Sequence, residues 1–212
     1  MNILSNNIVI IDYNMGNLRS VQKAFEKNGN FAMISNQKDI IQNADKIVLP
    51  GVGSFKDGMK NLLKLGLVDI LNKEVVEKKK PFLGICLGMQ LLATKSFENG
   101  ETKGLNFISG KVVKFEDSNL KVPHVGWNNI IYTNNQNRLF ESINNNSDFY
   151  FVHSYHFKSD EKDAVTSFTE YGLNFISSIN KDNIYAFQFH PEKSQTAGLQ
   201  IIKNYVNLEL KC

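Results

Sequence analysis

One cysteine in this chain sits where a nucleophile would sit. The stretch Phe82-Leu83-Gly84-Ile85-Cys86-Leu87-Gly88-Met89-Gln90 places glycine at both second neighbours of Cys86. Phe82 to Ile85 reads as a short buried strand, and Leu87 to Ala93 reads as a helix. Gly-x-Cys-x-Gly between strand and helix is the thiol form of a nucleophile elbow. Glycine permits the sharp turn that throws the cysteine side chain out at the end of the sheet. A helix starting at Leu87 would aim free N–H groups at the sulfur and favour thiolate over thiol. The plainer alternative is a small buried hydrophobe, the common fate of a free cysteine. The paired glycines favour the nucleophile.

A thiolate needs a base. Ile184-Tyr185-Ala186-Phe187-Gln188-Phe189 alternates like a strand and runs into His190-Pro191-Glu192. Proline ends the strand and stiffens the turn. On extended backbone, positions i and i+2 point the same way, so Glu192 can hold the His190 imidazole in one tautomer. Cys86, His190 and Glu192 then make a triad of nucleophile, base and orienting carboxylate. Thioester chemistry also needs donors aimed at a developing oxyanion. One is expected from the amide of Leu87. The other is expected from Pro50-Gly51-Val52-Gly53, where Gly51 and Gly53 let the backbone approach a substrate.

These residues must be positioned by a sheet. Ile8–Ile11, Phe31–Ile34, Lys46–Leu49 and Phe82–Ile85 read as buried strands. Leu18–Lys27, Ile40–Ala44, Phe55–Leu65 and Val68–Lys79 show helical spacing between them. Strand–helix–strand order with wholly apolar runs predicts an α/β fold with a mostly parallel, doubly wound central sheet flanked by helices. After Lys95 the pattern changes. Lys111–Phe115, Asn129–Thr133, Asp148–Ser154, Ala164–Phe168, Phe175–Ile179 and Ile184–Gln188 are short strands between polar turns, predicting a more antiparallel C-terminal half. Asn134–Asn137 and Asn144–Asn146 read as surface turns, and Thr196–Leu208 as a closing amphipathic helix. No repeat or linker interrupts residues 1–212, so a single domain is expected.

Composition narrows the class. The 212 residues are 42% hydrophobic and 21% charged with a net charge of +3, as in an ordinary soluble globule without a nucleic-acid-binding bias. Glu77-Lys78-Lys79-Lys80 reads as the solvated end of a helix. Two cysteines, Cys86 and Cys212, are no disulfide framework, and a free reactive thiol implies a reducing, cytoplasmic setting. Residues 1–7 lack the build of a signal peptide, and no apolar run suits a membrane span. No metal and no cofactor are expected.

The chain resembles the class I, triad glutamine amidotransferases in Gly84-Ile85-Cys86-Leu87-Gly88-Met89-Gln90 and His190-Pro191-Glu192. Pro50-Gly51-Val52-Gly53-Ser54-Phe55, Pro123-His124-Val125-Gly126-Trp127-Asn128 and Phe151-Val152-His153-Ser154-Tyr155 narrow the likeness to the glutaminase subunits of imidazole glycerol phosphate synthases. It runs from about Asn7 to Val206. The resemblance implies a glutaminase that passes ammonia to a (β/α)₈-barrel cyclase in histidine biosynthesis. It implies that the Val52 amide is the second oxyanion donor, acting when the acceptor site is occupied. Gln90, one helical turn past Cys86, faces the same side. By resemblance Glu98 holds the ammonium of glutamine, while Ser154 and Tyr155 hold its carboxylate through backbone groups. The segment around Glu98 departs from the usual acidic run, which leaves an exposed loop glutamate as the alternative. Positions matching the partner contacts are Asn17, Pro123, His124, Trp127, Tyr150 and Lys193. Trp127, the only tryptophan, suits an interface anchor in a loop; the alternative is a core residue. Asn14 stands where glycine is usual, and asparagine tolerates positive φ. Two other functions are compatible with the same residues: a paralogous subunit supplying ammonia to amidate a bacterial surface sugar, and a catalytically idle scaffold for the barrel.

Overall fold

The computed structural model describes residues 7–116, 120–133 and 137–209. Cys212, residues 1–6 and residues 134–136 of the expected turn lie outside the described residues. The fold grows from strands whose side chains are apolar on both faces. Strand β1 (Ile8–Ile11) is buried along its length and is followed by helix α1 (Leu18–Lys27). Then come β2 (Ala32–Ser35), α2 (Lys38–Gln42), β3 (Lys46–Gly51), α3 (Phe55–Lys64), α4 (Leu67–Leu71), β4 (Phe82–Cys86) and α5 (Leu87–Gln90). The second half contains β5 (Lys95–Ser96), β6 (Thr102–Lys103), β7 (Gly110–Lys114), β8 (His124–Asn129), β9 (Ile131–Tyr132), β10 (Asp148–His153) and β11 (Tyr155–Ser159). It closes with β12 (Val165–Tyr171), β13 (Leu173–Lys181), β14 (Ile184–Phe187) and α6 (Gln195–Val206).

The main sheet runs β2-β1-β3-β4-β14-β13-β12-β9. Its first five strands are parallel and the remaining pairings are antiparallel. Because side chains alternate across a strand, each inner strand feeds two cores. Ile8, Ile10, Val48, Leu83 and Ile85 pack with Val21, Phe25, Ile202 and Tyr205 of α1 and α6. Val9, Ile11, Ile47, Leu49 and Phe82 pack with Phe55, Leu62, Leu67 and Leu71 on the other face. Fully burying one such side chain contributes roughly 1.5–3 kcal/mol, far more than the few tenths that propensity gives α1. Packing therefore holds the helix. The parallel sheet flanked by helices and the antiparallel second half agree with the sequence.

Several elements differ from expectation. Strand β2 begins one residue later than the pattern predicts, leaving Phe31 exposed. The single helix expected over Val68–Lys79 is α4 followed by a π-helical turn, Asn72–Glu77. That wider turn buries Glu74 against Lys78 (2.9 Å) and Lys80 (2.8 Å). The largest correction concerns Pro123–Asn128, expected as a loop. It enters β8, which pairs antiparallel with β10 in a separate ribbon, Trp127 opposite Tyr150. Strand-breaking glycine and a preceding proline hid it. Strands β7, β11, β5 and β6 form a third sheet, of which β5 and β6 were not anticipated.

Candidate active site

The nucleophile elbow is built by close packing. Cys86 itself carries the strained backbone, φ 53° and ψ −105°, at the junction of β4 and α5. Positive φ in a non-glycine residue costs of order 1–3 kcal/mol and persists only where the surroundings impose it. Neither Gly84 nor Gly88 has positive φ, so the glycines serve differently from the sequence expectation. A Cβ at Gly88 would fall 1.7 Å from the carbonyl oxygen of Leu49. Only glycine lets α5 lie against β3. Helix α5 itself is a single turn.

The triad assembles. His190 Nδ1 lies 2.8 Å from Glu192 Oε1, both side chains being buried. The reason is not the extended i, i+2 arrangement expected: Pro191–Lys193 is a 3₁₀ turn that carries Glu192 back under the ring. His190 Nε2 is buried without a hydrogen-bond partner of its own. Burial opposes charging His190, but the neighbouring Cys86 sulfur and then Glu192 outweigh it and raise its pKa to about 10. Cys86 Sγ also donates to the carbonyl of Val152 (3.8 Å) and accepts from Gln188 Nε2 (3.7 Å). Gln188 is a site residue the sequence reading missed. The only signal was its place two residues before His190.

The proposed oxyanion strand lies directly alongside. Gly51 is in register with Cys86 across β3 and β4, so Val52 follows at the sheet's end, 43% exposed. Gly51 has a steric reason: a Cβ there would sit 2.0 Å from the Tyr13 hydroxyl. That hydroxyl is fully buried, and it has no hydrogen-bond partner. Gly53 adopts φ 105°. Asn14 has φ 61°, the left-handed geometry its glycine-like position requires.

The remaining predicted residues divide. Gln90 is buried one turn beyond Cys86 and donates from Nε2 to the Tyr155 carbonyl (2.8 Å) and to Gln188 Oε1 (3.0 Å). Glu98 is no free loop side chain: Oε2 accepts from the Phe55 amide (2.6 Å), at the first turn of α3, where Ser54 also caps through the Asp57 amide (3.1 Å). Burial and then the Glu98 charge raise the Tyr155 phenol. Ser154 joins β10 to β11 immediately before it.

Three of the partner-face candidates cluster. Trp127 and Tyr150 meet edge to face, 6.1 Å between centroids, and Lys193 Nζ stands 5.5 Å over the Tyr150 ring. Trp127 is 48% exposed, which removes the core alternative. Pro123 and Asn17 are exposed, and Asn17 additionally caps α1 by accepting from the Ser20 amide (3.2 Å). His124 is a correction: it is 3% exposed, stacked between Phe151 and Tyr171. Alternation along β8 turns Val125 and Trp127 outward and His124 inward. With His153 and His156 it forms a buried imidazole group. Burial lowers the pKa values of the three to about 4, 3 and 4 respectively. Among the described residues, no group of three or more potential ligands could hold a metal ion, and no helix is long and apolar enough to cross a membrane.

A cysteine on a strained elbow, a carboxylate-held histidine and a glycine-lined strand in one α/β sheet define a triad amidotransferase. A model of the class-I glutamine amidotransferase family matches residues 9–208. The imidazole glycerol phosphate synthase subunit HisH 1 of Campylobacter jejuni (strain 81-176) is 52% identical over 95% of this chain and 100% of its own length. The HisH subunit of Aquifex aeolicus is 47% identical, covering 93% of this chain and 94% of its own. Among solved structures, PurLQS from Thermotoga maritima superposes with a TM-score of 0.74 at 16% identity, over 96% of this chain and 99% of that one, and so shares the fold. The chain belongs to the class-I glutamine amidotransferases, in the branch formed by the HisH subunits of imidazole glycerol phosphate synthase.

Proposed function

We propose that this chain hydrolyses glutamine at Cys86 and delivers the ammonia to a (β/α)₈-barrel cyclase subunit in histidine biosynthesis. The Cys86 thiolate attacks the carboxamide carbon, and the oxyanion is held by the amides of Leu87 and Val52. The His190 imidazolium gives its proton to the departing nitrogen, releasing ammonia and leaving a thioester. Neutral His190 then takes a proton from water, hydroxide attacks the thioester, and glutamate and the thiolate are regenerated. Glu98, Gln90 and the Ser154–Tyr155 backbone are assigned to the amino-acid end of glutamine.

The observation that carries this reading is the buried His190–Glu192 pair (2.8 Å) beside a strained Cys86. An idle scaffold has no use for it. Surface-sugar amidation is not favoured, since the HisH relatives bear the name of the histidine-pathway synthase. The exposed Trp127–Tyr150–Lys193 group supports docking of the barrel on the face around Cys86, because ligands of such sheets approach the strands' carboxyl ends. The test is glutaminase turnover of the chain alone, with the co-encoded barrel, and with barrel plus its nucleotide ligand. A misplaced oxyanion donor costs on the order of 10²–10³ in rate, so the loaded complex should exceed the lone chain by about that factor. Equal turnover in all three would refute gating at Val52, and failure of any barrel complex to form would refute the partner.

A further inference from the structure

Gln188 is fully buried at the first position past β14, where the register of Phe187 with Ile85 sets it beside Cys86. Its main-chain N–H donates to the Ser177 carbonyl (3.0 Å), which pins its backbone. Its side-chain oxygen accepts from Gln90 Nε2 (3.0 Å), and the other hydrogen of that nitrogen goes to the Tyr155 carbonyl (2.8 Å). Chemistry fixes both amides. Turning Gln188 over would face its NH₂ with that of Gln90, and turning Gln90 over would set its oxygen against two carbonyl oxygens. The NH₂ end of Gln188 therefore points at Cys86 Sγ, 3.7 Å away. A buried amide costs free energy that leucine or methionine would not, so what the amide adds here is a donor to sulfur.

We propose that Gln188 is a positioning residue: its NH₂ donates to the Cys86 thiolate while its carbonyl fixes Gln90 toward the substrate. Hydrogen bonds to an ion are stronger than to its neutral form, so this donor favours thiolate over thiol, with the proton held on His190. The titratable groups acting on the sulfur are His190, from the turn after β14, and Tyr13, from the loop after β1. The inference rests on Cys86 being the nucleophile.

The experiment measures the rate of Cys86 alkylation by iodoacetamide in the full chain from about pH 5 to 9, with the labelled residue identified by peptide mass, for wild type and Gln188→Leu. Gln188→Met replaces Gln188→Leu if the latter fails to melt cooperatively. Loss of one charge-assisted bond should move the alkylation midpoint up by about one pH unit and lower glutaminase kcat/KM in the barrel complex about tenfold. A midpoint within about 0.3 pH unit and a kcat/KM within about twofold of wild type, in a folded variant, would overturn the role of Gln188 alone. A wild-type chain labelled elsewhere than Cys86 would overturn the nucleophile assignment and this inference with it.

Discussion

The main-chain N–H of His190 donates to the carbonyl oxygen of Tyr150 at 2.9 Å. This bond ties the proposed base to the aromatic ribbon that also carries Trp127. Ser194 closes the bracket, its hydroxyl donating to the His190 carbonyl (2.6 Å) and accepting from the Tyr150 amide (3.0 Å). A barrel seated on Trp127 and Tyr150 would thus press on the backbone that positions the base. The proposed interface and the proposed chemistry would share one element.

Cys86→Ala should abolish glutaminase activity in the complex, and a glutamine-analogue chloroketone should label Cys86 and spare Cys212. His190→Ala should be nearly as damaging, because the two residues act as a unit. Peptide mapping and steady-state rates check this, and substantial turnover in Cys86→Ala would end the triad assignment.

Removing the sulfur should release the histidine. The His190 pKa, about 10 beside the Cys86 sulfur, should fall markedly in Cys86→Ala, since burial then lacks its main counterweight. Nuclear magnetic resonance titration of the ring reads it. In wild type the raised value means that this group's stabilising contribution is full below the unfolded pKa of about 6.5 and fades as pH rises toward 10.

The opposite sign applies to His124, His153 and His156. Held near 4, 3 and 4 by burial, they stay neutral while the unfolded chain takes up protons below about 6.5. Their contribution is present above that pH and is lost as pH falls toward 4. Melting temperature should therefore drop steeply between pH 6.5 and 4. Replacing His153 by Gln should flatten that drop; an unchanged acid limb would contradict the assignment.

Gly51→Ala should cost both stability and activity, because its Cβ would fall 2.0 Å from the Tyr13 hydroxyl. Overpacking of this kind costs about 1–3 kcal/mol. Adding Tyr13→Phe, which removes the clashing oxygen, should recover part of the melting temperature. No recovery would place the strain elsewhere.

Trp127→Ala should weaken barrel affinity by roughly 2 kcal/mol or more and barely move the melting temperature, since the indole is 48% exposed. Titration calorimetry and thermal melting separate the two effects. Lost melting temperature with unchanged affinity would remove Trp127 from the interface.

The sequence by itself determined the parallel half of the sheet, and it singled out the proposed nucleophile and base. Glycines flanking Cys86, proline after His190 and unbroken apolar runs are local signals, readable without knowing what packs where. Tertiary structure decided the rest. That Gly88 is needed for the Leu49 carbonyl, and Gly51 for the Tyr13 hydroxyl, depends on neighbours some forty residues distant. Strand β8 was hidden because its partner, β10, lies far along the chain, and cross-strand pairing leaves little local trace. His124 was misplaced with it: without the strand, nothing in Pro-His-Val-Gly-Trp says which side chain turns inward. Gln188 was missed for the same reason, since a glutamine's role is set by what its two ends meet, and only the folded chain brings Gln90 and Cys86 to them.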